Sequence, residues 1–203
     1  MKITAIRQQE KLKDRYSVYV DEKYSFSLSE VALLESGLAS GKELSAEELK
    51  GFKQLSADDK LYGNALRYAA MRLRSRWELT EYLRRKQASP EASESVMAKL
   101  ERIGFINDEV FARMWVENRR LLKPTSRRKL QQELKAKRVG DDIVGRVLQE
   151  AGDGDHSALQ EMIARKRRQA KYRDDEMKLM QYLVRQGFGY DDVKTAVREA
   201  TAD

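Results

Sequence analysis

The chain repeats itself three times at a spacing of about fifty residues, and this internal register constrains the fold more than anything else in the sequence. In the clearest alignment Leu79, Leu83, Lys86 and Ala88 match Leu130, Leu134, Lys137 and Val139, and again Leu179, Leu183, Gln186 and Phe188. Leucines four apart share one helix face, and the apolar residue five positions later tucks the exit turn against a core. Ser75, Ser126 and Asp175 each stand four residues ahead of the first leucine, where a short oxygen-bearing side chain caps a first turn. A third helix closes each copy through Val96, Met97 and Leu100, then Val144, Val147 and Leu148, then Val193, Ala196 and Val197. A first helix opens each copy after Asp58, Asn107 and Asp155. Its apolar positions are Leu61, Ala65, Tyr68 and Ala69, then Val110, Phe111, Met114 and Trp115, then Leu159, Met162 and Ile163. The pattern predicts a mainly α fold of three tandem three-helix repeats over 58–106, 107–152 and 155–203, with Gly152-Asp153-Gly154 as a flexible joint. Units this small bury too little surface alone, so they are expected to stack into an elongated, curved rod.

Residues 1–55 read differently. Tyr16, Val18 and Val20 alternate with Ser17 and Tyr19, and Tyr24, Phe26 and Leu28 with Ser25 and Ser27, which predicts a β-hairpin turning at Asp21-Glu22-Lys23. Ile3 to Arg7 can supply a third strand, which a marginal two-stranded hairpin needs. Two short helices are expected next, announced by Ser27-x-x-Glu30 and Ser45-x-x-Glu48, with Gly37 stopping the first.

Charge divides unevenly. The net charge is +7, yet residues 1–57 hold nine Lys/Arg against nine Asp/Glu, leaving 31 against 24 in residues 58–203. A basic excess attracts polyanions such as nucleic acid. The cations gather around the end of the first helix and the start of the second in every copy. They are Arg72, Arg74, Arg76, Arg84, Arg85 and Lys86; then Arg119, Arg120, Lys123, Arg127, Arg128 and Lys129; then Arg165, Lys166, Arg167, Arg168, Lys171 and Arg173. Any one cluster reads as a solvated helix face, but stacked repeats set equivalent residues in a row. Arginine's two-pronged fork also suits phosphate and carboxylate. A row of ~6–10 phosphate contacts makes binding steeply salt-dependent.

No constellation for chemistry stands out. With no Cys there is neither a disulfide framework nor a thiolate metal site, and the lone His156 sits in a polar loop. Asp141-Asp142, Asp174-Asp175 and Asp191-Asp192 stand where helices begin, which capping and dipole compensation explain without a metal. No phosphate-binding glycine loop, nucleophile elbow or zinc spacing occurs, so no cofactor, metal or enzymatic activity is expected. No signal peptide or membrane span is apparent, which points to a cytoplasmic protein. Trp115 falls on an apolar stripe and reads as core, whereas Trp77 stands among arginines and fits either core or a base-stacking role.

Across residues 58–203 the motifs resemble the RecX family in its long form. Gly104-Phe105-Ile106-Asn107-Asp108-Glu109-Val110-Phe111-Ala112-Arg113 is similar to the family's junction between its first two repeats. Leu83-Arg84-Arg85-Lys86 resembles the end of its second helix. Lys123-Pro124-x-x-Arg127-Arg128-x-Leu130-x-x-Glu133-Leu134-x-x-Lys137 resembles its central signature, and Arg185-Gln186-Gly187-Phe188-Gly189-Tyr190-Asp191 its C-terminal turn. Where the family places glycine after the second helix, this chain has Gln87 and Arg138 and keeps only Gly187, so another geometry is open to the first two turns. The resemblance implies a monomeric, non-enzymatic regulator of homologous recombination, DNA repair and the SOS response. Such a regulator binds RecA, lies along its filament on DNA, and restrains filament growth, ATP hydrolysis and strand exchange. DNA contacts would be weak and sequence-indifferent, through phosphates. The alternative is a repressor built on helix-turn-helix units, although the recognition helix and dimer interface that this requires are not evident.

Overall fold

The computed structural model describes residues 1–152 and 154–202. Asp153, at the centre of the expected joint, and Asp203 lie outside the described residues. The architecture is a small antiparallel sheet followed by helices, in the order β1 (Ile3–Gln8), β2 (Arg15–Val20), β3 (Lys23–Ser29), α1 (Glu30–Ser36), α2 (Ala46–Ala70), α3 (Arg76–Arg85), α4 (Pro90–Arg102), α5 (Asp108–Leu122), α6 (Arg127–Ala136), α7 (Asp141–Glu150), α8 (Asp155–Arg167), α9 (Ala170–Arg173), α10 (Glu176–Arg185) and α11 (Tyr190–Ala202). The chain packs into two compact units, one of residues 1–72 and 81–105, the other of residues 73–80 and 106–203. Among the described residues no helix is long and apolar enough to cross a membrane.

In the first unit the third strand forms as expected, giving the order β1-β2-β3. Asp21 and Glu22 make the two-residue turn with φ of 46° and 65°, the positive pair that matches the twist of the flanking strands. One detail of the alternation differs. Val18 pairs with Phe26 but Tyr19 pairs with Tyr24, so Ser25 is an extra, bulged residue. The slip turns Tyr24 to the exposed face, where its ring meets Tyr19 edge-on at 6.2 Å, while Val18, Val20, Phe26 and Leu28 stay in the core.

The second short helix and the first helix of repeat 1 are in fact one 25-residue helix, α2. Ser45 and Glu48 form the anticipated capping box, and the Glu48 carboxyl is held below its ordinary pKa chiefly by the Ser45 backbone hydrogen bond. Nothing stops the helix at Asp58, because the polar residues around it serve other partners. Phe52, Ser56 and Asp59 fall on one face: Phe52 stacks on Phe26, the Ser56 hydroxyl donates to the Ser27 carbonyl at 2.6 Å, and Asp59 takes Arg15 and Ser29. Farther along, Ala65 and Ala69 are buried and Tyr68 stacks on Tyr82 at 4.2 Å, so one helix serves both the sheet and the first repeat.

The repeat register holds at atomic detail. Leu79, Leu83, Leu130, Leu134, Leu179 and Leu183 are all at 0% exposure, and every third-helix residue named above is buried. Two first-helix expectations fail: Val110 and Met114 are exposed, and Ala112 and Val116 take the core places beside Phe111. Asn107 caps α5 as expected, accepting from Glu109 and Val110, but the face turned to the core is that of Phe111, Ala112 and Val116.

Each second helix ends in the same turn. Backbone N–H groups of Ala88, Val139 and Phe188 donate to the carbonyls of Leu83, Leu134 and Leu183, and those of Gln87, Arg138 and Gly187 to Arg84, Lys135 and Val184. Gln87 and Arg138 adopt φ of 58° and 57°, so the left-handed turn survives without glycine. The strain is about 1 kcal/mol per site, and it is offset by the turn's two backbone hydrogen bonds together with the burial of Val139 and the partial burial of Ala88. Arg138→Gly is therefore expected to raise the urea midpoint by up to about 1 kcal/mol in stability. Gly187→Ala should do the reverse, since φ is 95° there and a Cβ would lie 2.6 Å from the Ser126 hydroxyl.

Candidate functional site

Consecutive repeats in the second unit are joined by a recurring set of contacts, which in turn place the basic side chains. The Arg76 backbone N–H donates to Asp108 at 2.7 Å, and the Arg127 N–H to Asp155 at 2.6 Å, so an aspartate opening one repeat caps the second helix of the repeat before it. Glu78 receives Lys137 at 2.8 Å; in the same register Lys129 donates to Gln186 at 2.8 Å. The buried Ser126 hydroxyl donates to the Gln186 carbonyl and accepts from the Lys129 N–H. By sequence position these aspartates belong to their own helices. Only the pairing between repeats shows whose backbone they serve.

With the junctions fixed, the candidate cations separate into those with internal partners and those without. Arg119 pairs with Glu133 at 2.8 Å and lies over Trp115, whose Nε1 donates to the same carboxylate. Lys137 covers Trp115 as well, so that tryptophan is a half-buried, polar-edged part of the repeat. Arg120 donates to the Ala151 and Gly152 carbonyls, and Arg127 to the Leu148 carbonyl. Arg167 donates to the Ala200 and Val197 carbonyls and pairs with Glu176. Lys166 lies over Tyr172 and Tyr182, and Lys171 over Tyr172.

Of the first-repeat candidates, Arg74 is buried while Arg72 and Arg76 are exposed. Arg84 pairs with Glu81; their hydrogen bond is the main cause that raises the guanidinium pKa and lowers the carboxyl's. Arg85 donates to the Glu81 carbonyl and Lys86 lies over Tyr82. Trp77 is 39% exposed.

Lys123, Arg128, Arg165, Arg168 and Arg173 are different. All are exposed, all belong to the second unit, and among the described residues their side chains have no hydrogen-bond, ion-pair or ring partner. Arg127, Arg128 and Lys129 also occupy the first turn of α6, which holds no acidic residue. Cations at the positive end of a helix dipole are disfavoured by a few tenths of a kcal/mol each, so the helix itself gains nothing from them there. The Asp155 carboxylate on the Arg127 N–H already compensates that helix end.

The remaining polar residues hold structural posts. Asp141 and Asp142 begin α7, Asp175 caps α10 by accepting from Lys178, and Asp191 and Asp192 begin α11. His156 is not in a loop but in the first turn of α8, exposed, with Gln160 at 2.9 Å. Among the described residues no three His, Cys, Asp or Glu side chains converge as a metal centre requires.

Comparison with known proteins agrees with this architecture segment by segment. Residues 1–45 match the regulatory protein RecX N-terminal domain, residues 62–100 the first RecX three-helix domain and residues 107–148 the second. Regulatory protein RecX of Listeria monocytogenes serovar 1/2a is 30% identical over all of this chain and 77% of its own length. The RecX protein of Lactobacillus johnsonii is 36% identical over 74% of this chain and 55% of its own. Among solved structures, a crystal structure of regulatory protein RecX superposes with a TM-score of 0.78 at 23% identity, covering 96% of this chain and 98% of that one. RecX from Lactobacillus salivarius superposes with a TM-score of 0.63 over 72% of this chain and 97% of its own. With an N-terminal sheet module, helical repeats and relatives alike along the whole length, the chain belongs to the RecX family of regulatory proteins.

Proposed function

We propose that this protein regulates homologous recombination by binding RecA and the RecA filament on DNA, and that it mainly restrains filament growth, ATP hydrolysis and strand exchange. The observation that carries the reading is the set of unpartnered cations in the second unit, on a chain related to RecX proteins from end to end. Lys123 and Arg128 flank the α5–α6 loop, and Arg165, Arg168 and Arg173 surround the α8–α9 connection. Pro124, Thr125 and Ser126 between the first pair are buried, so the backbone that carries Lys123 and Arg128 is anchored and only their side chains need to be ordered on meeting an anion. These side chains contact DNA phosphates or acidic protein surface in the filament, and occupancy of that surface excludes a second DNA.

Co-sedimentation with RecA assembled on single-stranded DNA tests the reading. The protein should pellet with the filament, and log affinity should fall linearly with log salt. A protein that stays in the supernatant at low salt while the filament pellets contradicts it.

A further inference from the structure

The third repeat carries a surface that the other two do not. Met177, Met180, Gln181, Val184, Arg185 and Tyr190 enclose a groove of about 320 Å³ along α10 and the start of α11. In the leucine register Val184 and Tyr190 stand where the second repeat has Lys135 and Asp141, an ion pair at 3.0 Å. Met177 and Met180 stand where it has Arg128 and Gln131; the first repeat has Trp77, Thr80 and the ion-paired Arg84 in the corresponding places.

The charged surface of the second repeat has thus become apolar in the third. Met180 packs partly against the core of this repeat, but Met177, Val184 and Tyr190 stand exposed. Leu179 and Leu183, on the opposite face of α10, are fully buried, whereas Met177 is 65% and Tyr190 59% exposed. At the rim stands Arg185, whose side chain has no hydrogen-bond, ion-pair or ring partner among the described residues, while neighbouring Lys178 is paired with Asp175.

Methionines adapt their shape to a bound side chain, tyrosine offers a rigid amphipathic wall, and an uncompensated guanidinium takes a carboxylate by two parallel hydrogen bonds. A nucleic-acid strand would call for cations along the floor, where this groove has apolar side chains. We infer that the groove docks a protein segment presenting apolar side chains and a carboxylate. The identity of the segment's owner as RecA rests on the function proposed above. The protein then has two separable contacts, an apolar one on α10 and a polyanion-seeking one at the unpartnered cations.

The test compares wild type with Met177→Ser/Val184→Ser and with Arg185→Ala, all checked for unchanged helicity, in filament co-sedimentation across a salt series. The expected result is at least about tenfold weaker binding for the double variant with an unchanged salt slope, because every phosphate-seeking cation is still present, and a smaller loss for Arg185→Ala. Wild-type affinity in both variants overturns the groove and leaves the filament reading standing. A wild type that does not bind RecA at all overturns both. A concentration-dependent dimer, seen by sedimentation and abolished by the double variant, assigns the groove to a second copy and overturns the inference as well.

Discussion

Replacing Asp59 by alanine should destabilise the N-terminal unit by about 3–5 kcal/mol, enough to leave a unit of this size barely folded. Arg15 is buried, and its guanidinium meets Asp59 at 2.9 Å with the two side chains only 9% and 10% exposed. The other partners of Arg15 are the carbonyl and hydroxyl of Ser27. Asp59 also accepts from the backbone N–H and hydroxyl of Ser29, the residue that caps α1. Removing the carboxylate strands a charge that cannot reach water and opens the cap in the same step. Urea unfolding followed by circular dichroism reads the loss. Combining Asp59→Ala with Arg15→Met should recover much of it, because the penalty lies in the unpaired charge and not in the absence of the bridge. A cost below about 1 kcal/mol for the single variant would show that the pair does not hold the sheet to α2.

The second large effect concerns binding. Reversing Lys123, Arg128, Arg165 and Arg168 to glutamate should weaken filament association on the order of a hundredfold at moderate salt and flatten the salt slope by roughly 0.9 for each phosphate left unneutralised. Stability should change little, since none of the four holds another part of the chain. Reversing Arg120 and Arg127 separates the two roles. Those side chains hold the carbonyls of Ala151, Gly152 and Leu148, so their loss should appear first as a lowered urea midpoint, about 1.5–3 kcal/mol for each charged hydrogen bond. The cations in the sequence look alike; their partners distinguish those that hold other parts of the chain from those left exposed and unengaged among the described residues.

That distinction marks what the sequence makes legible. The leucine register, its caps Ser75, Ser126 and Asp175, and the third helices are readable because each depends on local spacing, and all six register leucines lie where the spacing puts them, whereas α1 is capped by Ser29 and not by Ser27. The length of α2 is not readable in this way. Asp58 and Asp59 look like a helix start, and only the sheet, far earlier in the chain, explains why Asp59 turns outward to Arg15 and Ser29 instead of capping its own backbone. Asp108 and Asp155 raise the same difficulty, since each caps a helix about thirty residues away. The Ser25 bulge escapes notice because a one-residue insertion leaves the alternation looking intact on both sides of it. Within the candidate site the positions of the cations follow from the sequence, whereas the engagement of Arg119, Arg120, Arg127 and Arg167 depends on long-range packing. The left-handed turns at Gln87 and Arg138 are a middle case: the motif is visible, and the strain it tolerates is not.

The most direct measurement is the rate of DNA-stimulated ATP hydrolysis by RecA with this protein present at substoichiometric ratio. The wild type should slow hydrolysis clearly, and the folded variant carrying glutamate at positions 123, 128, 165 and 168 should slow it little or not at all. Equal slowing by the two proteins at the same salt would refute the role assigned to these cations.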